Sequence, residues 1–208
     1  MSRQGKGGHY HHGDLRAALI ETAIELMRER GVGNFSLAEA SRRLGVAVSA
    51  PYAHFADRDE LLAAVAVQAY ERFYAEVVPE IDQLEQPAER LAAMARAYVR
   101  FAAANRSLFE LLYTAGLDKR LHPELEVSER PLIDAVLACV RALADDSEAL
   151  ADDLATAVEA MVHGHAMFLL YGDFGQGQQA VEDAAERAAR ATLALVEGRH
   201  LLGRSSVS

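Results

Sequence analysis

Residues 36–55 read SLAEASRRLGVAVSAPYAHF, and the architecture turns on this stretch. Ser36 is a good helix N-cap and Glu39, three residues on, completes a capping-box pattern. Leu37, Ala40 and Leu44 then form one apolar face, which stops at Gly45. Val46 can plug the angle to a second, short helix at about residues 48–54. A helix, a tight turn and a second short helix make a helix-turn-helix, whose second helix enters a major groove while the first crosses the phosphate backbone. The polar residues suit that use. Ser36 sits where a hydroxyl and free backbone N–H groups can hold a phosphate, and Tyr52 and His54 can donate to phosphate oxygens. Val48, Ser49 and Ala50 would face base edges, Arg42 can add a contact from the first helix, and Arg58 follows at the start of the next. Helix-turn-helix geometry also occurs in proteins that never touch DNA, so spacing by itself leaves the function open.

Outward from this motif the helical period continues. Asp14 caps a helix with Leu15, Leu19, Thr22, Ala23, Leu26 and Met27 on one face, ending at Gly31 and Gly33. Asp57 and Glu60 cap another that runs through Leu61, Leu62, Val65 and Tyr70 towards Pro79. Further helices are expected at about residues 87–105, 106–115, 123–144, 147–171 and 179–197. The reading is an all-α chain of about nine helices, with no repeat and no Gly/Ser-rich linker. It divides into a flexible arm (1–13), a three-helix helix-turn-helix domain (14–60), a larger helical domain for ligand binding and dimerisation (61–200) and a tail (201–208).

Composition limits the alternatives. The chain has 208 residues, 51% hydrophobic and 25% charged, with a net charge of -10. The longest stretch free of Asp, Glu, Lys and Arg is thirteen residues, short of the ~20 that span a membrane. Residues 1–14 lack the apolar run of a signal peptide, so a cytoplasmic protein is expected. Cys139 is the only cysteine, which excludes a disulfide framework or a cysteine-based zinc site. His9, His11 and His12 sit on a glycine-flanked tail, a poor preformed metal site, and no metal or cofactor is expected. An acidic total argues against nucleic acid, but residues 1–56 hold seven basic and five acidic residues, a net of +2, leaving -12 for the remainder. No phosphate-binding glycine loop, nucleophile elbow or H-E-x-x-H motif is present, so no catalytic residue is assigned.

Gly45-Val46, Tyr52, His54-Phe55 and Arg58 through Leu61, in register over residues 36–61, resemble the N-terminal domain of TetR-family transcriptional regulators. That resemblance implies a homodimer that binds a pseudo-palindromic operator in double-stranded DNA. It also implies a C-terminal domain in which a small molecule shifts the recognition helices away from the ~34–36 Å spacing of successive major grooves. Two departures are visible: Ala47 stands where many members have Ser, and Val48-Ser49-Ala50-Pro51 offers no Arg, Lys, Asn or Gln for bidentate base contacts. Readout would then rest on Ser49, on apolar contacts to thymine methyls and on DNA shape, with phosphates dominating affinity.

In the second domain His163-Gly164 and the N-terminal 10–15 stretch are similar to a TetR subgroup named for a Trp-His-Gly signature, with Val162 in place of the Trp. Met94, Tyr98, Tyr113, His163 and Met167 are the candidate ligand residues, with Asn105 nearby and His165 on the same helix. Both histidines can equally be satisfied at a helix interface. Gly164 is expected to permit a close helix contact. Val181, Ala184, Ala185, Ala188, Thr192 and Leu195 form a small-residue face that could pack as a core within one chain or, with residues 147–171, build a four-helix dimer interface, and the resemblance to a dimeric family favours the interface. Two other function classes compete: a small helical enzyme, and a helical ligand-binding protein without DNA binding.

Overall fold

The structure is a computed structural model that describes residues 12–145 and 147–202, with side chains from Leu15 onward. Among the described residues the chain forms eight α-helices and three short 3₁₀ turns, and no strand. The helices are α1 (His12–Arg30), α2 (Leu37–Leu44), α3 (Arg58–Ile81), α4 (Pro87–Ala104), α5 (Arg106–Thr114), α6 (Glu124–Leu143), α7 (Glu148–Tyr171) and α8 (Gln178–Glu197). Helix α1 opens at His12, which puts Asp14 inside its first turn rather than ahead of it. The arm at residues 1–11, with His9 and His11, lies outside the described residues, as do the side chain of His12 and the tail from residue 203.

The third expected helix, at about residues 48–54, is a single 3₁₀ turn, Ala50–Ala53. Pro51 has no N–H to give, and bonds spanning three residues shape the turn: Tyr52 N–H donates to Ser49 O at 3.2 Å and His54 N–H to Pro51 O at 2.9 Å, with Phe55 N–H sharing the Pro51 carbonyl at 2.9 Å. The caps around it follow the sequence. Ser36 Oγ accepts from Glu39 N–H at 3.3 Å, while the Glu39 carboxylate pairs with Arg30 at 2.5 Å instead of reaching back. Asp57 accepts from Glu60 N–H at 2.9 Å, and Glu60 in turn accepts from Ala56 N–H at 2.5 Å. Gly45 closes α2 in the left-handed region (φ 68°), where a side chain would be strained, and Val46 N–H then reaches Ser41 O at 3.0 Å.

Two main cores result. The first joins Leu19, Leu26 and Met27 of α1 with Leu37, Phe55 and Leu61, and takes in Leu108 and Leu111 of α5 and Leu125 of α6. The second is built from the far half of α3 (Val77, Ile81) with α4, α6, α7 and α8. Helix α3 therefore serves both: residues 61–66 are buried in the first core and its last turns in the second. A helix of 24 residues reaches about 36 Å, enough to tie both together as one rod.

The small-residue face of α8 packs inside the chain. Ala184, Ala185, Ala188 and Thr192 are at most 1% exposed, and α4 is the main helix against them. Their small side chains let α8 approach α4 closely, and Arg96–Glu186 and Arg100–Glu182 pairs flank the contact at 2.5 and 2.7 Å. The face expected at a dimer interface is therefore occupied by core packing within the chain. Gly164 likewise meets nothing: a Cβ added there would have no neighbour within 4 Å, so no contact within the described residues requires glycine.

Candidate functional site

The helix-turn-helix shows its chemistry outward. Buried Phe55 anchors the 3₁₀ turn in the first core, with the Arg16 guanidinium 5.1 Å above its ring. Pro51 faces the same way, and Val48 (53% exposed) and Tyr52 (57%) point into solvent beside exposed Ser49, with Ala50 half-buried. Ser36 is exposed at the start of α2, with its Oγ already accepting from the helix.

The arginines divide sharply. Arg42 makes only an Nε–H bond to Ala38 O at 3.3 Å, so its head has no ion-pair partner among the described residues. Arg43 is clamped by Glu29 through two bonds of 2.7 and 2.6 Å, which hold the carboxyl below and the guanidinium above their usual ranges. Arg58 lies over the Phe35 ring and donates to Val32 O at 2.6 Å and Phe35 O at 3.4 Å, tying the α1–α2 connection to α3. It is thus engaged within the domain rather than presented as a free charge. His54 is half-buried at the end of the 3₁₀ turn.

The second site is a cavity of about 340 Å³ lined by α3, α4, α5, α6 and α7. Met94, Tyr98 and Tyr113 line it. Tyr98 Oη lies 2.6 Å from Tyr113 Oη and 2.9 Å from His163 Nδ1, a chain that can run in either direction according to which His163 nitrogen carries the proton. His163 stands just behind this wall, stacked on Phe109 at 5.6 Å. Burial lowers its pKa, against a weaker opposite pull from Glu159, and burial raises the Tyr98 and Tyr113 hydroxyls. Met167 packs beside the cavity on the small Ala102–Phe109–Ala166 cluster, Asn105 joins α4 to α5 outside it, and His165 donates to Met161 O at 2.9 Å within its own helix.

Several lining residues were not expected: Tyr70 and Phe73 from α3, Leu132 and Val136 from α6, and the carboxylates Glu129 and Glu159. The Tyr70 hydroxyl donates to Glu129 at 3.2 Å, and Lys119 pairs with the same carboxylate. The aromatic run at Tyr70, Phe73 and Tyr74, partly exposed at helical spacing, was the available signal. A smaller cavity of about 130 Å³ adjoins, sharing Tyr70, Leu112 and Tyr113 and reaching Ala66 and Leu111 of the first core. Helix α5 therefore has Leu108 and Leu111 in the first core and Phe109 and Tyr113 on the cavity. Among the described residues no cluster of three metal-binding side chains occurs, and no helix is long and apolar enough to cross a membrane.

Comparison with known proteins agrees with this layout. Residues 19–65 match the family model described as bacterial regulatory proteins, tetR family, and residues 91–192 match a tetracyclin repressor-like, C-terminal domain. The HTH-type transcriptional regulator BetI of Rhizobium meliloti (strain 1021) is 24% identical over 152 residues, 70% of this chain and 75% of BetI. A protein of unknown function from Rhodococcus sp. RHA1 superposes with a TM-score of 0.73 at 27% identity, covering 90% of this chain and 97% of that one. RolR in complex with resorcinol gives 0.62 at 25% identity, covering 95% and 97%. The first matched region carries the helix-turn-helix and the second carries most of the cavity-bearing bundle. The chain belongs to the TetR family of transcriptional regulators, which are DNA-binding proteins and not enzymes.

Proposed function

We propose that this regulator is a homodimeric repressor that leaves its operator when a small, largely apolar molecule fills the α3–α7 cavity. The observation that carries the reading is the placement of α5, with one face in the core of the helix-turn-helix domain and the other on the cavity. A molecule that moves Phe109 or Tyr113 must also move Leu108 and Leu111, so the two sites bias one shared element. RolR, a relative of the same fold, was crystallised with resorcinol, which supports a small-molecule role for the corresponding bundle.

In this reading residues 14–60 bind DNA and residues 61–200 hold the effector and the partner subunit. Ser36, Arg42, Tyr52 and His54 contact phosphates, Val48, Ser49 and Ala50 face bases, and Arg58 acts mainly by holding the surface in shape. A pseudo-palindromic duplex matches a two-fold dimer, and the protein works in the cytoplasm beside the chromosome. Dimerisation uses the outer faces of α7 and α8. Ala160, Gly164, Phe168 and Tyr171 recur along one exposed side of α7, with Leu193 exposed on α8. Glycine at position 164 then permits close approach of a partner helix rather than of one within the chain.

The test is anisotropy titration of labelled DNA from upstream of its own gene, with sedimentation to give the oligomeric state. A dimer that binds with affinity falling steeply as salt rises is expected, and Arg42→Ala should reduce that salt slope by about one. No binding to that DNA or to neighbouring promoters would remove the repressor reading, and a monomer would remove the dimer.

A further inference from the structure

The effector reading leaves open the charge of the molecule that the cavity accepts, and the lining constrains it. No Lys, Arg or His is among the lining residues, whereas two carboxylates are, Glu129 and Glu159. Their situations are opposite. Glu129 is answered by the Lys119 ammonium and the Tyr70 hydroxyl. Glu159, an exposed residue of the lining, has neither ion pair nor hydrogen bond among the described residues, so its negative charge is balanced by no side chain. Its field is felt at Tyr98, Tyr113 and His163, favouring the protonated form of each.

Around that charge the wall is aromatic. Phe73 and Phe109 each meet the Tyr98 ring edge-on, at 5.6 and 5.4 Å, and Phe109 continues to Tyr113 at 5.1 Å. Ring faces attract cations, and a carboxylate beside them adds to that attraction. An anion entering here would meet Glu159 with no positive group among the lining residues to offset it. A neutral hydroxyl could bond to Tyr98 or Tyr113 but would leave the Glu159 charge unanswered.

Resting on the effector reading, we propose that the cavity selects an organic cation: an ammonium group at Glu159 carried on an apolar body lying among Phe73, Phe101 and Leu132. The test is calorimetric titration of the full-length protein near neutral pH with three probes of one shape: 4-phenylbutylammonium, 4-phenylbutan-1-ol and 4-phenylbutyrate. The ammonium should bind about tenfold more tightly than the alcohol, and the carboxylate most weakly. Glu159→Gln should bring the ammonium down to the alcohol's affinity. Asp152→Asn, which removes a charge from the exposed side of the same helix, should keep the tenfold preference.

An alcohol or carboxylate binding as tightly as the ammonium would overturn the proposal, and so would a preference that survives Glu159→Gln. Parallel DNA titrations separate this from the effector reading. If the alcohol binds equally well and releases DNA, the effector reading stands and cation selection falls. If the ammonium is preferred but leaves DNA affinity unchanged, cation selection stands and the effector reading falls. If none of the three probes binds, cation selection falls.

Discussion

The two halves of this molecule spend their side chains differently. Around α1 and α2 the core is closed, with Phe55, Leu19, Leu26 and Met27 at most 1% exposed, and the uncommitted chemistry is displayed outward as Arg42, Ser49 and Tyr52. In the α4–α8 bundle the arginines that face α8 are paired, Arg96 with Glu186 and Arg100 with Glu182, while the uncommitted chemistry lies inside, around a cavity of about 340 Å³. A filled core makes a rigid platform for a surface that must keep its shape against DNA. A hollow one leaves room for a second molecule to change the packing. Helices α3 and α5 belong to both.

The contrast breaks most visibly at Phe55. Truncating it to Ala removes a ring buried to 1% in the filled core and should cost about 3–5 kcal/mol, read as a drop in urea midpoint with loss of DNA binding. A loss under about 1 kcal/mol would mean the turn is not anchored there. Next is Arg58→Ala, which leaves Val32 O and Phe35 O without their donor. About 1–2 kcal/mol of stability should go with it, with DNA binding falling in proportion to the unfolded fraction. Arg42→Ala is the counterpart: unchanged denaturation, weaker DNA binding. If the two variants behave alike, the division between engaged and displayed arginines is wrong.

The hollow half is probed by filling it. Val136 lines the cavity, and Val136→Phe should leave thermal stability within about 1 kcal/mol, because the added ring enters space instead of displacing packed atoms. DNA affinity should persist while the calorimetric response to cavity ligands disappears. A strongly destabilised variant would show that the space is not there to be filled.

Much of this was legible beforehand, for a physical reason that also explains what was not. Leu19, Ala23, Leu26 and Met27 recur at helical spacing and are buried, and Gly45 ends α2 in the left-handed region that its identity predicted. Met94, Tyr98 and Tyr113 do line the cavity. Periodicity reveals that a face is covered, however, and not by what: the alanines of α8 meet α4 of the same chain, a pairing fixed only by the tertiary arrangement. Arg58 similarly carries a charge suited to phosphate, and only the fold shows two backbone carbonyls within its reach. Glu129 and Glu159 sit among ordinary helix-surface carboxylates in sequence, and nothing local separates the answered one from the unanswered one.

The smallest expected effect is a pH dependence belonging to the hollow half. Burial holds His163 below its ordinary 6.5, among Tyr98 of α4, Phe109 and Tyr113 of α5 and Glu159 of its own helix, the last pulling weakly the other way. As pH falls, the imidazole protonates first in the unfolded chain, so the unfolded state binds more protons and stability declines from 6.5 down through the folded pKa. Above that window the ring is neutral in both states and contributes no slope. The carboxyls of Glu29 and Glu186, held below 4.5 by Arg43 and Arg96, lose their stabilisation only at lower pH, so the windows separate. Melting temperatures between about pH 5 and 7, where histidines titrate, should fall more steeply for the natural protein than for His163→Asn. Equal slopes would place His163 in water like a surface histidine, and the cavity wall behind Tyr98 would then be open rather than closed.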